Sequence, residues 1–391
     1  MRVLIMGAGV AGTVVALAAQ KAGLEPVVYE AYQESAGLEH GIYLGVAVNG
    51  LHALRVVDAH QVVLDAGFPS GRMSFFSGTG KKLGAMAMGP VLDDGTVTHT
   101  IRRSDLYRGL AAETVRRGIR IEHGKRLTSA RPVVGGGVIV EFADGTTAEG
   151  DVLVGADGVH SATRKVIDPA NPGPRYTGLG NTGGFSRGVD LDAEPGSYVM
   201  VWGKRCFFGY TVSPDGEIWW FANPPSKAEL APGELRAPGL RERLVALLAV
   251  DRTPGAAIVE ASAEFKLSNQ YDLPAVPTWS RGPMVIVGDA AHAVSPASGQ
   301  GVSLACEDAV TLARCLRDAA DVPAALAAYE LERRERVERV VKWGAGMNNT
   351  KKQGPMGRMV RDLVLPLILK KGGSPAELAR MNWLFAHQSV W

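Results

Sequence analysis

The sequence predicts an α/β fold: a parallel sheet wrapped by helices, interrupted by an inserted antiparallel sheet and closed by a C-terminal helical segment. Three observations predict it. Residues 2–30 run as apolar strand, glycine-rich turn, helix, second strand and acid. Residues 152–164 and 284–316 repeat the order of apolar run, small-residue loop and helix. Between them, residues 198–223 carry aromatics at alternating positions around the turn Ser213-Pro214-Asp215-Gly216, the period of antiparallel strands.

The first element is the buried run Arg2-Val3-Leu4-Ile5-Met6, followed by the turn Gly7-Ala8-Gly9-Val10-Ala11-Gly12 and a helix over residues 13–22. A second strand over residues 26–29 ends in Glu30. This is a dinucleotide-binding fingerprint in full context: one glycine for the tight turn, one for close approach to a pyrophosphate, one for helix–strand packing. Glu30 stands at the distance where an acid meets ribose hydroxyls. The fingerprint does not separate NAD from FAD.

Residues 73–94 change to short strands with Gly78-Thr79-Gly80 and the turn Asp93-Asp94-Gly95, and read as part of an inserted unit. Ile101-Arg102-Arg103-Ser104-Asp105-Leu106 opens a helix reaching about residue 117. Strands follow at residues 119–123, 138–142 and 147–148. Val152-Leu153-Val154-Gly155 then delivers Asp157 and Gly158, with Ser161 and Arg164 downstream. Met284-Val285-Ile286-Val287 delivers Gly288 and Asp289 to a loop containing Pro296, Gly299 and Gly301. The helix after it carries Ala305, Ala309, Leu312 and Leu316 on one face. A glycine loop at a helix N-terminus suits an anionic or polar ligand, because free N–H groups and the helix dipole point at it. Residues 323–343 predict a charged helix with Leu326, Tyr329, Val337 and Val340 packed and its Glu/Arg alternation solvated; residues 359–369 predict an apolar helix interrupted at Pro366. The expected division is residues 1–72, 95–168 and 277–343 in the nucleotide-binding domain, residues 73–94 and 169–276 in the inserted sheet, and residues 344–391 in the tail.

Composition narrows the function. Lys plus Arg at 42 against Asp plus Glu at 40 is near balance, so nothing suggests a nucleic-acid partner. Cys206, Cys306 and Cys315 show no metal or disulfide spacing, so no metal is expected and a reducing cytoplasm is the expected compartment. No stretch is long and apolar enough to span a bilayer.

The strings at 7–12 with Glu30, 152–164 and 287–309 resemble, in this order, the three fingerprints of the class A (single-component) FAD-dependent aromatic hydroxylases, the monooxygenase group of p-hydroxybenzoate hydroxylase and salicylate hydroxylase. The resemblance implies a Rossmann-type FAD-binding domain with an inserted substrate sheet, in the short form without a third C-terminal domain. It implies FAD at Gly7, Gly9, Val10, Ala11, Gly12, Glu30, Arg103, Asp157, Gly158, Gly288, Asp289, Pro296, Gly299, Gln300, Gly301 and Val302. A strand from Gly41 to Gly45 would run beside the isoalloxazine. Pro296, Gly299, Gln300 and Gly301 would form the loop at the reacting flavin, and His292 would be scaffold. The implied chemistry is reduction of FAD by NADPH or NADH, capture of O2 as a flavin C4a-hydroperoxide, and oxygen transfer to an aromatic or polycyclic small molecule. Alternatives on the same scaffold are Baeyer–Villiger oxidation and epoxidation. More remote are an NAD-dependent dehydrogenase and a non-catalytic FAD-binding protein. By analogy with the family sheet, the even face (Trp202, Phe208, Tyr210, Trp220) is expected to wall the substrate pocket, and Phe207, Trp219 and Phe221 to face away. With Lys204 and Arg205 the main charges near it, that wall suggests a planar, largely uncharged substrate. No motif marks a general base, and a monomer or homodimer is expected.

Overall fold

In the computed structural model, residues 1–34, 42–235, 237–352, 354–369 and 381–391 are described; Gly41 lies outside them. The central sheet has the order Ser280–Arg281, Met284–Ile286, Val152–Gly155, Arg2–Met6, Glu25–Tyr29, Arg120–Glu122. Its pairings are parallel apart from the edge pair 280–281 with 284–286. Val3, Leu4, Ile5, Val152, Leu153, Val154 and Val285 are fully buried, as apolar runs covered on both faces must be. The strands Arg2–Met6, Val152–Gly155 and Met284–Ile286 are adjacent and point the same way, so the loops that follow them leave at one edge. That edge is where ligands bind in parallel α/β sheets. Helices Val10–Lys21 and Gly301–Asp318 pack together beside it. Helix Val48–Val56 crosses the latter closely at Gly50, where a Cβ would come 2.6 Å from Ser303 Oγ.

The inserted sheet has seven strands in the order Leu267–Asp272, Arg175–Ser186, Ile218–Asn223, Phe207–Val212, Ser197–Trp202, Arg72–Ser77, Lys82–Ala87. All pairs are antiparallel except Ser197–Trp202 with Arg72–Ser77. Residues 198–212 are two strands, not one. The turn at residues 203–206 sets Trp202 opposite Phe207 and Val201 opposite Phe208. Partners across an antiparallel pair share a face, so the even positions before the turn and the odd positions after it lie together. Tyr198, Met200, Trp202, Phe207 and Phe221 therefore form one apolar group with Phe75 and Leu83. Phe208, Tyr210 and Trp220 form the other, under helices Leu240–Leu248 and Gly255–Glu260 through Leu244, Leu248 and Ile258.

Helix Val322–Asn349 runs past residue 343, and its charges are not all solvated. Arg333 is fully buried, with Nε 2.8 Å from Asp308 Oδ1, and Arg336 Nη2 lies 2.8 Å from Glu307 Oε1. Arg333 falls four residues after Tyr329 and four before Val337, on the packed stripe. Pro366 lies inside helix Pro355–Leu369 without ending it. The last turn survives because Leu365 and Leu369 pack on the cluster around Phe75 and Leu83. Among the described residues no helix is long and apolar enough to cross a membrane.

Candidate functional site

A single cleft of about 1450 Å³ runs from Glu30 past the three loops to Phe221. Pockets for one drug-sized ligand fall near 300–1000 Å³, so the cleft has room for a dinucleotide and a second molecule.

At its first end, Gly7 is left-handed (φ 102°) and donates its N–H to Tyr29 O at 2.8 Å. A Cβ on Gly12 would stand 1.8 Å from Gly7 O, so helix and turn touch backbone to backbone. The glycine string already contains the first turn of helix Val10–Lys21. That helix has no side-chain cap and no acid in its first turn. A Cβ on Gly9 would meet only Tyr107 side-chain atoms, 3.4 Å and more away. Glu30 closes this end, its Oε2 accepting from Ala8 N–H at 2.7 Å and its Oε1 from Tyr32 N–H at 3.0 Å.

In the middle, Arg103 opens helix Arg103–Arg116 and donates from Nη2 to Tyr107 Oη at 2.8 Å; Asp105 pairs with Arg108 instead. Asp289 opens helix Asp289–His292 and faces the cleft. Separation from bulk water pushes its carboxyl up, opposed by the charges of His292 and Arg103. Asp157 is committed locally: it accepts from Ser161 Oγ, from Thr163 N–H at 2.9 Å and from Thr163 Oγ1 at 3.0 Å, capping helix Ala162–Ile167. Arg164 is fully buried, and its two terminal nitrogens donate to Ala290 O and Val159 O, tying the second loop to the third. His292 bonds Asp308 through Nε2 and is packed against Trp279, away from the cleft wall.

The third loop turns through the short 3-10 segment Pro296–Ser298 and left-handed Gly299 (φ 62°) into helix Gly301–Asp318. This 18-residue helix also lacks a side-chain cap and a first-turn acid, so its positive end opens on the cleft at Gly301 and Val302. Pro296 and Gly299 are open to the cleft, whereas Gln300 is fully buried. Asn49 Nδ2 donates to Gln300 Oε1 at 2.9 Å, and Gln300 Nε2 has no protein partner. Gly288 (φ 57°) would bring a Cβ to 3.0 Å from Ala11, which locks the third loop against the first.

On the sheet side, Trp202 lines the cleft; Phe208, Tyr210 and Trp220 do not, because the 203–206 turn reverses their face. Their places are taken by Tyr198, Met200, Phe207 and Phe221. Phe208→Ala is expected to lower stability by about 3–5 kcal/mol, whereas Phe221→Ala is expected to raise substrate KM roughly tenfold with little change in Tm. Thermal melts and steady-state kinetics read both, and equal effects at the two positions would refute the assignment of faces. Lys204 and Arg205 sit in that turn, Lys204 Nζ donating to Val250 O at 2.8 Å, so neither supplies charge to the cleft. Tyr43 lines it from strand Tyr43–Val46, within the segment expected beside the flavin, whereas Tyr107 and Lys351 line it without any motif having marked them.

Residues 1–344 match the FAD binding domain family. The chain is 30% identical over 346 residues to the aurachin C monooxygenase/isomerase of Stigmatella aurantiaca, covering 86% of each chain. It is 30% identical over 349 residues to an FAD-dependent urate hydroxylase of Klebsiella pneumoniae, covering 87% of this chain and 88% of that one. Its fold matches that of Klebsiella pneumoniae HpxO complexed with FAD and uric acid at a TM-score of 0.85, with 27% identity over 97% of this chain and 95% of that one.

Proposed function

The chain belongs to the FAD-binding domain family and is an FAD-dependent monooxygenase; from this we infer that it uses NADPH or NADH and O2 to hydroxylate an aromatic or polycyclic small molecule. One observation carries the reading. Three adjacent parallel strands deliver their loops to one edge of a cleft whose opposite wall is an aromatic sheet.

The residues present fit FAD. Two helix N-termini without caps or first-turn acids offer free N–H groups, Gly9 leaves its cradle open, and Gln300 Nε2 is a buried donor without a partner. Residues 10–12 and Arg103 would hold the pyrophosphate, Glu30 the adenosine ribose and Asp289 the ribitol chain. The flavin, once bound, supplies the two-electron and oxygen chemistry. The chain supplies position and electrostatics. The N-terminus of helix Gly301–Asp318 stabilises negative charge at the inner end of the cleft. Met200, Trp202, Phe207 and Phe221 exclude water and stack a planar ring beside it. Asp157 and Arg164 act one step back, holding the second and third loops in place. A cytoplasmic location, in which Cys206, Cys306 and Cys315 stay free thiols, belongs to the same reading.

The purified protein is expected to show flavin absorption bands that bleach when NADPH is added without oxygen, faster in the presence of an aromatic ligand. A colourless protein that takes up no FAD would overturn the reading. Asp289→Ala is expected to lose more than nine-tenths of bound flavin and of NADPH-dependent turnover, about 1.4 kcal/mol or more. Full flavin content with normal turnover would remove Asp289 from the site.

A further inference from the structure

Among the described residues on the sheet side of the cleft, one carries a titratable amine. Lys351 sits in the 3-10 turn Thr350–Lys352 that follows helix Val322–Asn349, beyond the residues matched by the family. Its Nζ lies 4.3 Å from the centre of the Phe207 ring and 5.9 Å from that of Phe221, and donates to Asn223 Oδ1 at 2.7 Å. Asn223 cannot turn away. It is buried, and its Nδ2 donates to Gly180 O at 3.2 Å and Asn181 Oδ1 at 3.3 Å. The neighbouring groups offer no counter-charge. Trp202 Nε1 donates to Thr350 Oγ1 at 3.4 Å, and Thr350 Oγ1 donates to Met347 O. The Cys206 thiol is pushed up to about 12 by burial and is neutral. Arg361, over Trp202, is paired with Asp362 at 2.6 Å. No carboxylate of the described residues forms an ion pair with Lys351. An ammonium in such a place is costly, and burial brings Lys351 down to about 7. Its charged form therefore has no carboxylate partner among the described residues.

We propose that Lys351 selects the substrate, pairing with the oxygen of a weakly acidic ring hydroxyl, a phenol or heteroaromatic enol, whose ring lies against Phe207 and Phe221. This rests on the monooxygenase reading and names its substrate class. The neutral amine takes the hydroxyl proton: the O–H bond breaks, an N–H bond forms, and the oxygen keeps the electron pair. The resulting ammonium donates to the anionic oxygen and, through a second N–H, to Asn223 Oδ1. The ring becomes electron-rich, as hydroxylation requires. A permanently ionised carboxylate would be served better by the planar fork of an arginine. The substrate is then neutral in water but ionisable in the cleft, which refines the uncharged ring expected from the aromatic wall.

The probe is 2-naphthol, with 2-methoxynaphthalene and 2-naphthoate as controls, titrated into the oxidised holoenzyme and followed by perturbation of the flavin bands. Wild-type protein is expected to bind 2-naphthol at least tenfold more tightly than the ether or the carboxylate, and to show the absorption band of the naphtholate below the pH at which free naphthol ionises. Lys351→Met, with flavin content unchanged, is expected to abolish both the preference and the early band. Lys351→Arg is expected to restore tight binding only at pH values where naphthol is already ionised. No preference for naphthol in the wild type, a preference for naphthoate, or an unchanged preference in Lys351→Met would overturn the assignment to Lys351. Such results with a flavin that NADPH still bleaches leave the monooxygenase reading standing, whereas absence of flavin brings both down.

Discussion

Arg333→Met is expected to destabilise the protein by about 3–5 kcal/mol, because removing one partner of a buried ion pair strands the other. Arg333 stands between Glu307 and Asp308, and all three are fully buried. Burial alone would push both carboxyls up, but Arg333 and Arg336 bring Glu307 down to about 2, and His292 and Arg333 bring Asp308 down to about 2. Methionine fills the space and supplies no charge. Arg336 still reaches Glu307 and His292 still reaches Asp308, so the variant folds, less stably. The pH dependence has a definite sign. Carboxyls whose folded values lie below their ordinary values near 4 contribute fully above about pH 4, and that contribution disappears as pH falls through about 2. In the variant they have lost a cation and protonate more readily. The Tm gap between wild type and variant, widest near neutrality, is therefore expected to narrow as pH drops from about 5 toward 2. A gap that stays constant down to pH 3 would show that Arg333 is not what keeps these carboxylates ionised. The same network ties helix Gly301–Asp318 to helix Val322–Asn349, and so sets the position of the helix end that opens on the cleft.

The second large effect belongs to Gly12. Gly12→Ala places a methyl group 1.8 Å from Gly7 O, and Gly7 cannot retreat because its own missing Cβ position is 2.5 Å from Ala156 O. Backbone meets backbone on both sides, so no rotamer relieves the clash. Helix Val10–Lys21 must move away from the strand ends, and its N–H groups leave the edge of the cleft where the pyrophosphate is proposed to lie. The expected result is a protein that retains its far-UV circular dichroism but purifies without flavin, with FAD affinity reduced at least about 100-fold, or 2.7 kcal/mol or more. Wild-type affinity in Gly12→Ala would show that the helix end and the cofactor are uncoupled.

Most of the FAD-domain architecture was legible in the sequence because its determinants are contiguous. An apolar run becomes a buried strand, a left-handed glycine ends it, and a periodic stripe begins a helix, all within about thirty residues. Gly7, Gly158, Gly288 and Gly299 each adopt the positive φ that such turns demand. The three loops could be expected to converge once each was seen to follow a parallel strand. Arg333 was also within reach, since 329, 333 and 337 fall on one stripe, but its charge argued for solvent until two carboxylates from another helix were in view.

Other features were decided only by the tertiary structure. Alternation says that residues 198–223 have two faces, but which face meets the cleft depended on a four-residue turn that reversed the parity between Trp202 and Phe207. Side-chain period two is unforgiving in this respect: one misplaced turn exchanges the pocket wall for the core, so that Phe208, Tyr210 and Trp220 went to the helices and Phe207 and Phe221 to the cleft. Asp157 lines the cleft as the string suggested, but its bonds from Ser161 and Thr163, which also hold the start of its own helix, are visible only in the fold. Lys351 reaches Asn223 from 128 residues away and belongs to no motif. Local patterns fix backbone conformation because short-range sterics and hydrogen bonds suffice for it. The charge that meets a substrate is set by long-range packing, and only the folded chain brings those residues together.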